Sequence, residues 1–347
     1  MQTDARRSRF PTSILWVCVL GWSCFLAAQS VPIRPLPPWV TRLSDYGERP
    51  QWSLDGKKVL FLTRGGGDVM EIDVESKQIS PVTLHYERPR DWGYYRAYYL
   101  SNGDYLLTGG PGRDAARLQI MDRRRTKPPK VFEDVLVGGS PAVSRHRPTI
   151  AFTGPRREQI WTVQVVDRAG GPSLARGRMI IDRGKVTVEG VELKGPIEPR
   201  AFRPPDDGEL IWCLYGTTED GRATAEVMGY DLETGQITDY SQTPQEYDEP
   251  EGIFPDGRSI LVGVGGRRPR TAGRVSFGLY RLELDATQRR LERLSQAWDE
   301  AGLKATNAVV RDDGRFLAFQ QSNSSASSGA SPGIYLVDLV RAGIAGP

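Results

Sequence analysis

The chain has 347 residues, among them 38 glycines and 25 prolines, with 39% hydrophobic and 26% charged side chains. Glycine and proline are enriched without a triplet period, which removes a collagen-like reading, and the apolar share is enough for a sizeable core. With 46 basic against 43 acidic groups the chain is neither an acidic tail protein nor a histone-like polycation, and nucleic-acid binding would want a basic stripe.

Arg6, Arg7 and Arg9 make a positive start, and the run from Ile14 to Ala28 is apolar and ends in small or polar residues before Val31-Pro32. That is the shape of a secretory signal cleaved near Ser30. A retained anchor would want closer to ~20 apolar residues. A lipoprotein cut before Cys24 is the alternative, although Gly21-Trp22-Ser23 lacks the Leu normally expected three residues back. Residues 1–30 are therefore read as signal, 31–38 as linker, 39–342 as one domain and 343–347 as tail. Cys18 and Cys24 leave with the signal. Cys213 stands alone in an apolar run and reads as a small buried strand residue, since a nucleophile would want one of only two histidines, His85 and His146, within reach.

From Trp39 onward one pattern recurs: a lead-in strand, a tight polar turn, an apolar strand, a gap and another alternating strand. Its copies begin at Pro50, Tyr99, Val143, Phe202, Ile253 and Val310, and their turn glycines or equivalents are residues 56, 103, 147, 208, 257 and 314. A period of roughly 45–60 residues with strand-type alternation is that of a propeller and not of a helical solenoid. Asp-Gly and Asn-Gly supply the hairpin turns, where positive φ is tolerated. The stretch 177–195 reads as the outer part of the third copy with an extra hairpin, residues 289–303 have room for one short helix, and Ser322 to Ser331 form a low-complexity loop. The sixth copy stops after its third strand, and Trp39 to Ser44 matches the missing fourth strand. The expected fold class is all-β: a six-bladed β-propeller closed by an N-terminal strand, with seven blades as the alternative.

Trp52-Ser53-Leu54-Asp55-Gly56-Lys57, with Ile72-Asp73-Val74 further on, resembles the TolB-type propeller repeat. Phe254-Pro255-Asp256-Gly257-Arg258, Tyr335-Leu336-Val337-Asp338 and Asp231-Leu232-Glu233-Thr234-Gly235 are similar to it again. The resemblance spans nearly all of 40–339 and implies a propeller fold. Copies two and three depart from it, with His146-Arg147 in place of Asp-Gly. The stretch between Val31 and Trp39 is expected to leave out the α/β domain that precedes the propeller in the best-known relative.

No G-x-S-x-G, C-x-x-C or H-E-x-x-H motif is present, so no catalytic residue and no cofactor are assigned. The expected function is that of an exported, monomeric, non-enzymatic propeller that binds an envelope protein, a peptide or a glycan at the channel mouth. The alternative is a propeller lyase or hydrolase acting on carbohydrate or lactone with carboxylates and a divalent cation. Membrane attachment would follow only from a lipid on Cys24. Candidate ligand-binding residues come from the segments leading into the second and fifth copies: Arg88, Arg90, Trp92, Tyr95 and Arg96 on one side, and Glu246, Asp248 and Glu251 on the other. Arg can clamp a carboxylate and aromatic rings can stack on sugar or peptide planes, so the mouth is expected to be bipolar.

The N-terminal pattern has a direct check. Sequencing of the protein released by an expressing bacterium is expected to begin near Val31, in the periplasm or medium. A start at Cys24 would make it a lipoprotein, and an intact residue 1–30 segment on soluble cytoplasmic protein would refute export.

Overall fold

The repeated apolar runs form strands that pair antiparallel across short turns. The computed structural model describes residues 35–186, 195–218, 221–265, 278–299, 301–322 and 333–344, all within the compact unit Arg34–Pro347. The signal, the second half of 177–195 and nearly all of the serine loop lie outside the described residues.

In chain order, β1 is Val40–Ser44. It is followed by β2 (Glu48–Trp52), β3 (Lys58–Leu62), β4 (Val69–Asp73) and β5 (Ile79–Pro81), which form one sheet in that order. Next come β6 (Gly93–Tyr99), β7 (Tyr105–Gly110), β8 (Arg117–Met121) and β9 (Lys130–Leu136), again one sheet. The third sheet holds β10 (Gly138–Val143), β11 (Thr149–Thr153), β12 (Gln159–Arg168), β13 (Gly171–Leu174) and β14 (Arg178–Asp182). Here β14 pairs the first half of β12 and β13 pairs its second half. A hairpin of β12 with β13 therefore arises from the length of β12, while most of the second half of 177–195, where the sequence placed an extra hairpin, lies outside the described residues.

An eight-stranded sheet follows, made of two meanders. The first is β15 (Ile197–Phe202), β16 (Glu209–Thr217), β17 (Ala223–Asp231) and β18 (Ile237–Asp239). The second is β19 (Tyr247–Ile253), β20 (Ser259–Gly265), β21 (Gly278–Glu283) and β22 (Leu291–Arg293). A single parallel pairing, Ala225 with Tyr247, joins them. The short helix α1, Gln296–Asp299, leads to β23 (Ala305–Val310), β24 (Phe316–Gln321) and β25 (Ile334–Asp338). The last sheet takes its fourth strand from the other end of the domain: β1 pairs β25, with Val40 opposite Val337 and Arg42 opposite Tyr335. The arrangement is an all-β propeller.

Turn chemistry explains the recurring Asp-Gly. In the first copy the Asp55 carboxylate accepts the Ser53 hydroxyl at 2.7 Å and the Lys57 N–H at 3.1 Å. Asp256 and Asp313 accept the N–H two residues on in the same way, an Asx turn. Glycine supplies the left-handed residue and Asp does not. At Gly257, φ is +66° and a Cβ would stand 2.0 Å from the Pro204 carbonyl oxygen, so no other residue fits. In the degenerate third copy Ser144 takes over the Asp role, accepting the N–H groups of His146 and Arg147 at 3.2 and 2.7 Å.

Both faces of each meander are covered by its neighbours. One apolar cluster joins Leu60, Leu62 and Val69 to Tyr94, Tyr105 and Leu107 of the following sheet. Another joins Trp52, Val59 and Phe61 of the first sheet to Ala318, Ile334 and Leu336 of the last. Polar groups between sheets are paired as well. Buried Glu71 receives Lys58 at 2.8 Å and Arg125 at 2.7 Å on one oxygen, and the Tyr99 and Tyr105 hydroxyls at 2.7 and 3.1 Å on the other. Burial alone would raise this carboxyl, but those partners outweigh it and hold it below the usual range. Cys213 is buried on β16, and burial pushes its thiol well up.

Removing residues 39–44 leaves β25 and the first-to-last cluster without cover. The deletion is expected to abolish cooperative thermal unfolding or cause aggregation. An equal deletion inside 322–331 should shift the melting temperature by only a few degrees, because loop length costs little. Equal behaviour of the two would refute the closing role of β1.

Candidate functional site

Six strands, β2, β6, β10, β15, β19 and β23, carry the inner edges of the meanders. Four of them contain proline, at Pro50, Pro141, Pro199 and Pro250. Proline fits there because an inner edge has no partner strand awaiting its N–H. Each of the six also breaks register with its neighbour, between Glu48 and Gln51 in β2, for example, and between Thr306 and Val309 in β23. A bulge of this kind re-aims side chains. Here it turns charged residues into the space where the six strands converge.

That space is a cavity of about 300 Å³ lined by residues of all six strands. Its walls include Val143, Phe202, Ile253 and Val309, and its charged lining includes Arg49, Arg96, Arg200 and Glu251. It opens among Arg145, His146, Pro204, Pro255 and Asp312, which follow the inner strands. Arg145 reaches over this mouth. Its Nη1 donates to the Trp52 carbonyl at 3.1 Å, and its Nε donates to Asp312 at 3.2 Å.

Electrostatically the cavity has two sides. Arg200, on β15, meets Glu249 at 2.6 Å and Glu198 at 3.4 Å, and Glu249 also accepts the Tyr215 and Tyr247 hydroxyls, each at 2.7 Å. Arg49 and Arg96, on β2 and β6, instead both donate to the Tyr95 carbonyl, at 2.8 and 3.2 Å. Glu251, on β19, accepts the Asn307 N–H at 3.3 Å. Burial, then the neighbouring Glu249 charge, push its carboxyl up to about 7. The lining can therefore hold an anion on one side and keep a titrating carboxyl on the other. Among the described residues no group of three or more His, Cys, Asp or Glu side chains gathers to hold a metal ion.

Of the residues singled out from sequence, Arg96 and Glu251 line this cavity. The other six do not. Arg88 is bound to Asp68, with Nη2 to Oδ2 at 3.1 Å, and lies over the Tyr94 ring. Arg90 is exposed, and Trp92 lies under the Arg117 guanidinium. Tyr95 contributes its carbonyl and not its ring. Asp248 is fully buried against Arg289 at 2.8 Å, which also reaches Glu246 at 3.5 Å. The segments 87–92 and 245–246 precede the inner strands, whereas the mouth of the cavity is made by residues that follow them. Arg49 and Arg200 went unnoticed in the sequence. The signal that could have found them is the proline beside each, in the lead-in strand of its copy.

A broader depression of about 520 Å³ lies by Arg147, Arg203, Glu209 and Asp231. Three of the charges there, Arg203, Glu209 and Asp231, already have partners. Arg203 meets Glu209 at 2.8 Å, and Asp231 accepts the Thr234 N–H at 2.7 Å. The axial cavity is the better site because its charges converge on empty space.

The raised Glu251 carboxyl has a consequence for stability. A carboxyl whose folded pKa lies above its unfolded value of about 4.3 costs nothing below that value, and the fold loses stability as pH climbs towards 7. Glu251→Gln is therefore expected to melt close to wild type at pH 5 and to be more stable at pH 8, by on the order of 1–3 kcal/mol. Melting curves at the two pH values check this, and an equal offset at both would refute it.

No protein-family model matches the sequence, and no curated protein matches it. Solved structures do. They include a chain of a mitotic checkpoint complex, with TM-score 0.52 and 13% identity over 92% of this chain and 98% of that one. An oligogalacturonate lyase from Vibrio parahaemolyticus gives 0.50 and 16%, covering 86% and 79%. TolB from Acinetobacter baumannii gives 0.50 and 10%, covering 85% of this chain and 64% of that one. At such identities the likeness is one of fold: this chain is similar to TolB and to other β-propellers.

Proposed function

We propose that the chain is an exported, TolB-like propeller of six blades that binds an end or loop of an envelope protein, peptide or glycan in its axial cavity, as a monomer and without a cofactor. Support for six blades comes from the six inner strands and from the two meanders of the eight-stranded sheet, which touch through one residue pair. The observation that carries the binding reading is the cavity itself, about 300 Å³ with apolar walls and convergent polar groups, the usual make-up of a ligand site.

A second reading, catalysis on a carbohydrate, has one specific observation behind it. Burial and the neighbouring Glu249 charge push the Glu251 carboxyl up to about 7 inside the cavity, the range in which a general acid or base works, and an oligogalacturonate lyase has a similar fold.

Filling the cavity separates binding there from binding elsewhere. Ala201 and Gln51 line it and are half-buried. Ala201→Trp, or Gln51→Trp if the first misfolds, is expected to lower retention of the protein's ligands from peptide and glycan libraries at least tenfold with the fold preserved by circular dichroism. Unchanged retention would refute the axial site. Turnover of oligosaccharide that vanishes in Glu251→Gln would favour the catalytic reading.

A further inference from the structure

Arg49 is held beside Arg96 at a cost that the fold only partly offsets. Their Nη1 atoms lie 2.8 and 3.2 Å from one carbonyl oxygen, that of Tyr95, so two cations stand side by side. Among the described residues neither forms an ion pair with a carboxylate, whereas Arg200 across the cavity has two. Burial, then the charge of Arg96, push the Arg49 guanidinium down to about 9, and Glu48 offsets only part of this. The backbone is strained as well. Seven non-glycine residues among those described have positive φ, and of these Arg49 (+57°) and Asn307 (+49°) line the cavity while the other five do not. Strain that the surroundings hold in place at a cavity points to a ligand.

Resting on the axial cavity as the binding site, we infer that Arg49 and Arg96, with Ser140 beside them, seat the C-terminal carboxylate of a peptide that enters end-on. A carboxylate suits two adjacent guanidinium groups, which can present parallel N–H donors to its two oxygens. Ser140 accepts the Arg96 Nε–H at 2.8 Å, which leaves its own hydroxyl proton to donate. A dianion such as phosphate is disfavoured because Glu251 faces the same space.

The walls select a peptide over a sugar acid. Pro141, Val143, Ile253 and Val309 offer aliphatic surface, and Trp52 and Phe202, 2% and 4% exposed, leave little ring face for a sugar to stack on. From Asn307 to Val310 the lining part of β23 covers roughly 10 Å, the length of about three extended residues, and Asp312, in the turn beyond it, carries the wall on to the mouth. Capture of a chain terminus at the end of a narrow slot is an established mode of peptide recognition.

Equilibrium dialysis of the protein with its whole propeller domain, residues 31–347, tests this. The probes are a mixed pool of tetrapeptides ending in Val or Leu, the same pool as C-terminal amides, glucuronate and inorganic phosphate. The free acids are expected to be retained at least tenfold better than the amides, and neither glucuronate nor phosphate at equal concentration should displace them. Arg49→Asn removes the charge with a residue that accepts positive φ. It is expected to cut retention at least tenfold while leaving the melting temperature equal or higher, and a merely structural arginine would lower it. Ser140→Ala should cost a few-fold. Equal retention of acids and amides, both lost in Ala201→Trp, would overturn the carboxylate seat and leave the axial site standing. No retention of either pool, or retention indifferent to Ala201→Trp, would overturn both. Displacement by glucuronate or phosphate would overturn the choice of a peptide.

Discussion

The pairing of β1 with β25 is the interaction on which the rest depends. Every meander in this chain is apolar on both faces, so each needs a neighbour on both sides, and an open row would leave two sheets half bare. Trp52, Val59 and Phe61 of the first sheet find their cover on Ala318, Ile334 and Leu336 of the last. Backbone hydrogen bonds between residues almost 300 positions apart hold that contact shut. Long-range closure of this kind is slow to form and cooperative once formed, because its loop entropy must be overcome before any of its contacts form.

Closure also creates the cavity. The inner strands β2, β6, β10, β15, β19 and β23 converge, and apart from the Ala225–Tyr247 pair and the Gly67–Tyr94 bridge their axial edges have no partner strand among the described residues. An unpaired edge elsewhere would invite aggregation. Here the chain answers it with prolines that donate no hydrogen bond, bulges that break the ladder, and Arg145, whose side chain caps the Trp52 and Ser53 carbonyls at 3.1 and 3.3 Å. The turn that supplies Arg145 is the one that has lost its Asp-Gly. Loss of the repeat signature in the third copy therefore accompanies a gain at the mouth, with Ser144 keeping the turn shut while Arg145 reaches outward.

Much of the fold was legible because strand alternation and Asx-Gly turns are local. Asp55, Asp256 and Asp313 act on their own neighbours two residues away, so their role can be read from five letters of sequence. The matching of Trp39–Ser44 to an outer strand was legible for a similar reason: the repeat shows which strand is missing. Side-chain direction at the axis was not legible. Tyr95 points its carbonyl inward because β6 shifts register between Tyr94 and Arg96, and nothing in Gly93–Tyr99 as letters announces that shift. Asp248 looked like part of an acidic wall, yet Arg289, 41 residues on, takes its charge into the seam between strands. Opposite charges brought together across a seam leave no local trace in the sequence.

Burial of charge is common in this molecule, so burial alone does not mark a site. Glu71 is buried, and four donors saturate it; such a network specifies how two sheets meet and has nothing left to offer a ligand. Glu226 is the harder case. It is fully buried, one oxygen receives Ser241 at 2.6 Å and Thr243 at 3.1 Å, and the other has no partner. Burial pushes it up to about 7, and taking up a proton relieves the cost of burying its charge. Neither cavity described above is lined by it. Arg49 has no such escape, because a guanidinium pushed down to about 9 still keeps its proton at neutral pH. Of the three, it alone combines a charge that persists with an opening through which a counter-charge can arrive.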